Sequence, residues 1–167
     1  PKVAEWVRHG GFVRELGVDS HASFPAGFEL IETLWVVPFH HDVFIELAGL
    51  EFGLLAILAV RVLGEWLGLE NRFALLAGLL FVVTPVAQLQ LTSCLNDIAV
   101  GALWLAAAAL IVAGSPLAVM VAVGAVSVGI KPTAVYAMPG LLALWWVCPR
   151  PGQARSTPQS QLLLAGS

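Results

Sequence analysis

The run 98–130 contains no charged residue, and neither does 73–95 or 132–149. Such runs narrow the possible folds sharply. A bilayer core about 30 Å thick is crossed by about 20 helical residues. At ~1.5 Å per residue, 98–130 would reach about 50 Å as one helix, too long for a single crossing. Ala113-Gly114-Ser115-Pro116 supplies the small residues and proline of a turn that divides it. Lys131-Pro132-Thr133 sets a charge beside a helix breaker and closes the run.

Composition agrees. Of 167 residues, 59% are hydrophobic and only 11% charged, where soluble domains carry roughly 25% charged residues. A body this small cannot hide that much apolar surface from water, which excludes an ordinary cytosolic enzyme and equally a disordered chain. Lys and Arg number 8 against 11 Asp and Glu, so no nucleic-acid partner is expected. The expected surroundings are a lipid bilayer. Two cysteines, Cys94 and Cys148, are too few for a disulfide scaffold or a structural zinc site. The chain begins at Pro1 and carries no signal-peptide pattern, which predicts a fragment whose targeting segment lies upstream.

A less clean span, 43–63, precedes the uncharged runs and carries Glu46, Glu51 and Arg61. Arg61 is near enough to an end to snorkel. Glu51 lies closer to the middle, where a carboxylate is costly unless it faces protein or water, and burial against a partner helix is expected for it. The fold class predicted is therefore all-α: a polytopic integral membrane helical bundle of about five spans (43–63, 73–91, 97–113, 116–130 and 133–148). Residues 1–42 form an outer-face amphipathic segment, 43–148 the transmembrane region, and 149–167, rich in Pro, Gln, Ser and Gly, a disordered cytoplasmic tail. Arg61 and Arg72 flank the first loop and Arg150 and Arg155 lie in the tail, which puts both on the cytoplasmic side. Cys94 and Cys148 then sit on opposite faces and cannot pair.

Within 1–42, Val3, Trp6 and Val7 recur at i, i+3, i+4 with charges between, and Gly10-Gly11 follows. This predicts a short amphipathic helix lying on the membrane surface. Residues 28–37 predict a second helix, with Glu29, Glu32 and Thr33 on one face and Leu30, Leu34 and Val37, beside Ile31 and Trp35, covering the other.

The order of these pieces resembles a known family. A surface helix over 1–9 precedes Phe24-Pro25-Ala26-Gly27-Phe28-Glu29, a span, and a loop bearing Arg72. Then come a span interrupted at Thr84-Pro85, Asn96-Asp97, a further span, and Lys131-Pro132-Thr133. Over about 1–148 this is similar to the early part of the polytopic GT-C glycosyltransferases, which include protein mannosyltransferases and lipid A aminoarabinose transferases. The resemblance implies an integral-membrane enzyme of a bacterial inner (plasma) membrane. It would take a sugar from a polyprenyl-phosphate donor and pass it to a lipid, glycan or protein acceptor on the outer face, with no cofactor. It also implies a catalytic aspartate just before the segment at which this chain begins, so the catalytic residue is expected outside the chain.

Such chemistry needs a carboxylate to deprotonate or orient the acceptor hydroxyl and a cation to stabilise the leaving phosphate. Lys131, at an outer turn between spans, fits a phosphate contact; it equally fits an interfacial anchor. Asn96 and Asp97 fit either sugar-hydroxyl binding or capping of the helix that follows. Glu29 and Glu32 fit the lining of a donor cavity or the solvated side of a surface helix. His21, next to Asp19, fits a phosphate or acceptor contact. His40-His41-Asp42 has no third ligand at a recognisable spacing, and no metal site is expected. Trp35, Trp66, Trp145 and Trp146 fit an aromatic belt. Two other classes remain open. An ion-coupled carrier would use Glu51 and the Pro-broken spans. A non-catalytic assembly protein would use none of these residues.

Overall fold

The structure, a computed structural model, describes residues 2–11, 26–39, 41–93 and 96–148. All secondary structure among them is helical. The eight α-helices are α1 (Lys2–His9), α2 (Gly27–Val36), α3 (Leu47–Trp66), α4 (Asn71–Val82), α5 (Pro85–Leu91), α6 (Asp97–Val112), α7 (Leu117–Ile130) and α8 (Met138–Val147). Short 3-10 helices, Asp42–Phe44 and Pro132–Ala137, lead into α3 and α8. His21, His40, Cys94 and the tail 149–167 lie outside the described residues.

Helix ends follow the punctuation in the sequence. Gly68 (φ 92°) and Gly114 (φ 75°) adopt left-handed backbone that glycine enters without a Cβ clash. Each lets the chain fold back onto the helix it ends: Leu69 N–H reaches Gly64 O and Ser115 N–H reaches Leu110 O, both in the six-to-one pattern of a Schellman cap. Thr84-Pro85 breaks the second expected span. Proline has no N–H to continue the ladder, Thr84 is extended, and its hydroxyl donates to Phe81 O. The chain turns by 69° between α4 and α5.

Only one helical stretch among the described residues, Asp42–Trp66, is by itself long and apolar enough to cross a membrane. The α4–α5 pair passes only when taken together across its bend, and α6, α7 and the Pro132–Val147 stretch are shorter apolar helices. At 16 and 14 residues, α6 and α7 reach only about 24 and 21 Å. The first of the five expected segments thus has full span length, and the others are broken or short.

The segments run alternately between two ends. At one end Leu91, closing α5, lies against Gly49 in the first turn of α3 and packs with Ile98 at the start of α6. Lys131, after α7, reaches Asp97 at the start of α6. At the other end Gly64 of α3 adjoins Ala74 of α4, and Ile111, Met120 and Cys148 cluster from α6, α7 and α8.

The interior is built from small residues and the exterior from large ones. Ala48, Ala56, Ala59, Ala74, Ala99 and Ala102 are among the most buried side chains, while Leu50, Leu54, Leu58, Leu76, Leu80 and Leu89 are exposed. Close helix approach requires this: a Cβ on Gly78 would stand 2.6 Å from Ile57 O. A water-soluble core shows the reverse, whereas small residues between helices are what packing in lipid selects.

Helix α1 departs from expectation. It packs on α2, and Val3 and Trp6 are buried within the protein. Its apolar stripe is therefore spent on protein rather than left for a membrane surface.

Candidate functional site

Charged and polar groups collect at the end that holds the α6 start and the α7 finish. Helix α7 stops at Lys131 because the following Pro132 excludes a helical conformation there. Lys131 is extended (φ −148°, ψ 121°), and its N–H still reaches Ser127 O at 3.0 Å. This geometry turns the side chain across to α6, where Lys131 Nζ donates to Asp97 Oδ1. The two side chains are 35% and 50% exposed, so the pair sits at the rim rather than in the core.

Asp97 opens α6 and Asn96 is its N-cap residue. The capping role expected of this dipeptide is not made: Asn96 forms no side-chain cap hydrogen bond, and the Asp97 carboxylate is turned to Lys131. Asn96 contributes through its backbone, accepting Val100 N–H at 3.2 Å. The sequence reading placed Lys131, Asn96 and Asp97 in one site without joining them; the fold brings Lys131 and Asp97 into contact across 34 residues.

Helix α2 is laid over the same end. A Cβ on Gly27 would stand 2.6 Å from Gly129 O and 3.0 Å from Ile130 N, so the first turn of α2 rests on the last residues of α7, next in sequence to Lys131. Phe28 meets Phe52 of α3 with ring centroids 6.0 Å apart, and Trp35 Nε1 donates to Glu51 Oε1 at 3.0 Å. These contacts fix the rotation of α2. Glu32 is 4% exposed and Glu29 half-buried, and Glu29 Oε2 and Glu32 Oε1 are withdrawn from solvent. Leu34 is 70% exposed, with Leu30 and Val37 exposed beside it.

The solvated-face reading of Glu32 is thus corrected. Its side of α2 turns inward, and the leucine side turns out. Glu51 is corrected too: it is exposed in the second turn of α3, with Trp35 as its partner. The Trp35–Glu51 bond was not foreseen. Its only signal was a carboxylate close to the start of a long apolar helix.

His41 Nδ1 accepts Val43 N–H at 3.1 Å, which occupies the nitrogen facing its own turn. At the far end the basic residues are paired within their own segments: Arg61 with Glu65 at 3.1 Å and Arg72 with Glu70 at 2.8 Å.

Lys131 is the cation that the described residues place at this end, suited to a phosphate oxygen as a compact point charge. Asp97 is its acceptor, and Glu29 and Glu32 lie on α2, whose first turn rests on the end of α7; carboxylates suit hydroxyl donors. No family model, curated protein or solved structure matches the chain.

Proposed function

We propose that the chain is part of a multi-pass membrane glycosyltransferase, and that the Lys131 end receives the phosphate of a polyprenyl-phosphate-linked sugar. A lipid, glycan or protein would accept the sugar. The membrane part is supported by the exposed leucines around an alanine and glycine interior, by the one full-length span, and by segments that alternate between two ends. Arg61 and Arg72 lie at the end opposite Lys131, which fits a cytoplasmic side there and an outer side at Lys131.

The observation that carries the transfer reading is the Lys131–Asp97 contact. It joins two residues that the family resemblance singles out separately, at the end overlaid by the inward carboxylates of α2. Lys131 would meet the negative charge that develops as the phosphate leaves. Asp97, Glu29 and Glu32 would orient sugar or acceptor hydroxyls. The carrier reading would use Glu51, which lies in the second turn of its helix and accepts from Trp35 Nε1, together with the Pro-broken segments.

The test is photolabelling of the full chain in proteoliposomes with a polyprenyl-phosphate sugar bearing a photoreactive group next to the phosphate. Labelling should concentrate on peptides containing 27–36, 96–97 and 131–136, yield to unlabelled lipid, and fall at least tenfold in Lys131→Ala. Even labelling of the whole apolar exterior, unchanged in Lys131→Ala, would refute the reading.

A further inference from the structure

We infer that Asp97 is a built-in competitor for the anion that Lys131 takes, so that phosphate binding and the Asp97–Lys131 ion pair exclude one another. The inference rests on the proposed phosphate role of Lys131 and adds how that role is regulated. The ammonium already has an anionic partner, because Lys131 Nζ donates to Asp97 Oδ1.

The Lys131 side chain is 35% exposed. A phosphate oxygen that takes the same ammonium would stand close to the Asp97 carboxylate that already holds it. Two anions on one ammonium repel at such range, and the repulsion grows where the dielectric falls below that of water. The pair is also easily given up. Rim-exposed ion pairs contribute little, because water and side-chain entropy offset the attraction.

Exchange has two consequences. Without an anion bound, the site avoids presenting an unpaired charge at the membrane edge. The released carboxylate is then left beside the bound phosphate, free to accept a hydroxyl from the sugar or acceptor. Asp97 is in this sense a positioning residue for Lys131.

The experiment measures equilibrium binding of radiolabelled polyprenyl phosphate to the full chain in phosphatidylcholine nanodiscs. It compares the native chain with Asp97→Asn, Lys131→Ala and the double variant, and uses inorganic phosphate as a soluble competitor. Asp97→Asn should bind about two- to fivefold more tightly, the range expected from releasing an exposed ion pair. Lys131→Ala should lose most binding, and the double variant should bind no better than Lys131→Ala. Inorganic phosphate should compete in the same order of variants.

Equal or weaker binding by Asp97→Asn, with Lys131→Ala still defective, would overturn the competition while leaving the phosphate site in place. Equal binding by all four would overturn both. Failure of inorganic phosphate to compete would show that the lipid tail, not the phosphate, is recognised, and would also overturn the inference. Should Asp97→Asn fold poorly, Asp97→Ser supplies the same comparison, with folding checked by helical circular dichroism.

Discussion

Trp35 Nε1 donates to Glu51 Oε1 at 3.0 Å and so ties the last turn of α2 to the second turn of α3. With the Phe28–Phe52 contact at the other end of α2, this bond decides which face of the helix looks inward. Trp35→Phe keeps the ring bulk and removes the donor. Hydrogen bonds to charged groups contribute about 1.5–3 kcal/mol, and an exposed one falls at the low end. Amide exchange across α2 should therefore speed up about tenfold in Trp35→Phe. Glu51→Ala should match it, and Glu51→Gln, which keeps an acceptor, should show less. Unchanged exchange in Trp35→Phe would mean that the bond does not hold α2.

Interior glycines separate into two kinds. At Gly78 a Cβ would meet Ile57 O at 2.6 Å, a backbone atom with no rotamer to yield. At Gly101, inside α6, a Cβ would meet nothing within 4 Å. Gly78→Ala should force α3 and α4 apart and cost about 1–3 kcal/mol, the usual range for overpacking. Gly101→Ala should be neutral or stabilise by up to about 1 kcal/mol, through helix propensity alone. Thermal unfolding in detergent would read both, and a Gly78→Ala variant as stable as the native chain would contradict the close α3–α4 packing.

The outward leucines of α2 carry a prediction about depth. Leu30, Leu34 and Val37 are exposed, Phe39 packs on Phe44 with centroids 4.7 Å apart, and the chain runs directly into the full-length span. Helix α2, and not α1, whose Val3 and Trp6 are buried, should rest in the bilayer interface. An environment-sensitive fluorophore on Leu34→Cys, with Cys94 and Cys148 changed to Ser, should be quenched by a nitroxide high on the lipid chain and poorly by aqueous iodide. A label at Arg8→Cys should show the opposite. Strong iodide quenching at position 34 would put α2 in water.

Uncharged runs, Gly and Pro punctuation and apolar periodicity were enough to place α2, α3, α6 and α7 within a few residues, because each is a local property of the chain. Rotation was not legible. Alternating Leu and Glu on 28–37 reads as carboxylates out and leucines in when the solvent is water. The structure has the reverse, with Glu32 in and Leu34 out, because Gly27, Phe28 and Trp35 each take a partner from α7 or α3. The same limit hid the Asp97 contact: a capping residue and an ion-pair partner look alike in sequence, and only the register of α6 against α7 separates them. The bend at Thr84-Pro85 was visible as a proline, but its 69° turn was not.

How many segments cross the bilayer turns on the α6–α7 hairpin. At about 24 and 21 Å the two helices fall short of a core of about 30 Å, yet Ser115 at their turn lies at the end that also holds Leu67, and Thr133 at the end of Lys131. A five-span arrangement then requires the bilayer to thin locally or the flanking residues to extend the path, at a cost of fractions of a kcal/mol per Å. A re-entrant hairpin would instead leave Ser115 buried in the membrane. Single cysteines at Leu67, Ser115 and Thr133, in a chain with Cys94 and Cys148 changed to Ser, separate the two. With a membrane-impermeant maleimide on intact spheroplasts, Thr133→Cys should react at once, while Leu67→Cys and Ser115→Cys should react only after permeabilisation. If Leu67→Cys reacts on permeabilisation but Ser115→Cys stays unlabelled, α6 and α7 dip into the membrane without crossing it and the five-span reading fails. That outcome would still leave Lys131 and Asp97 on the outer side, because both ends of the hairpin would remain where Thr133 is labelled.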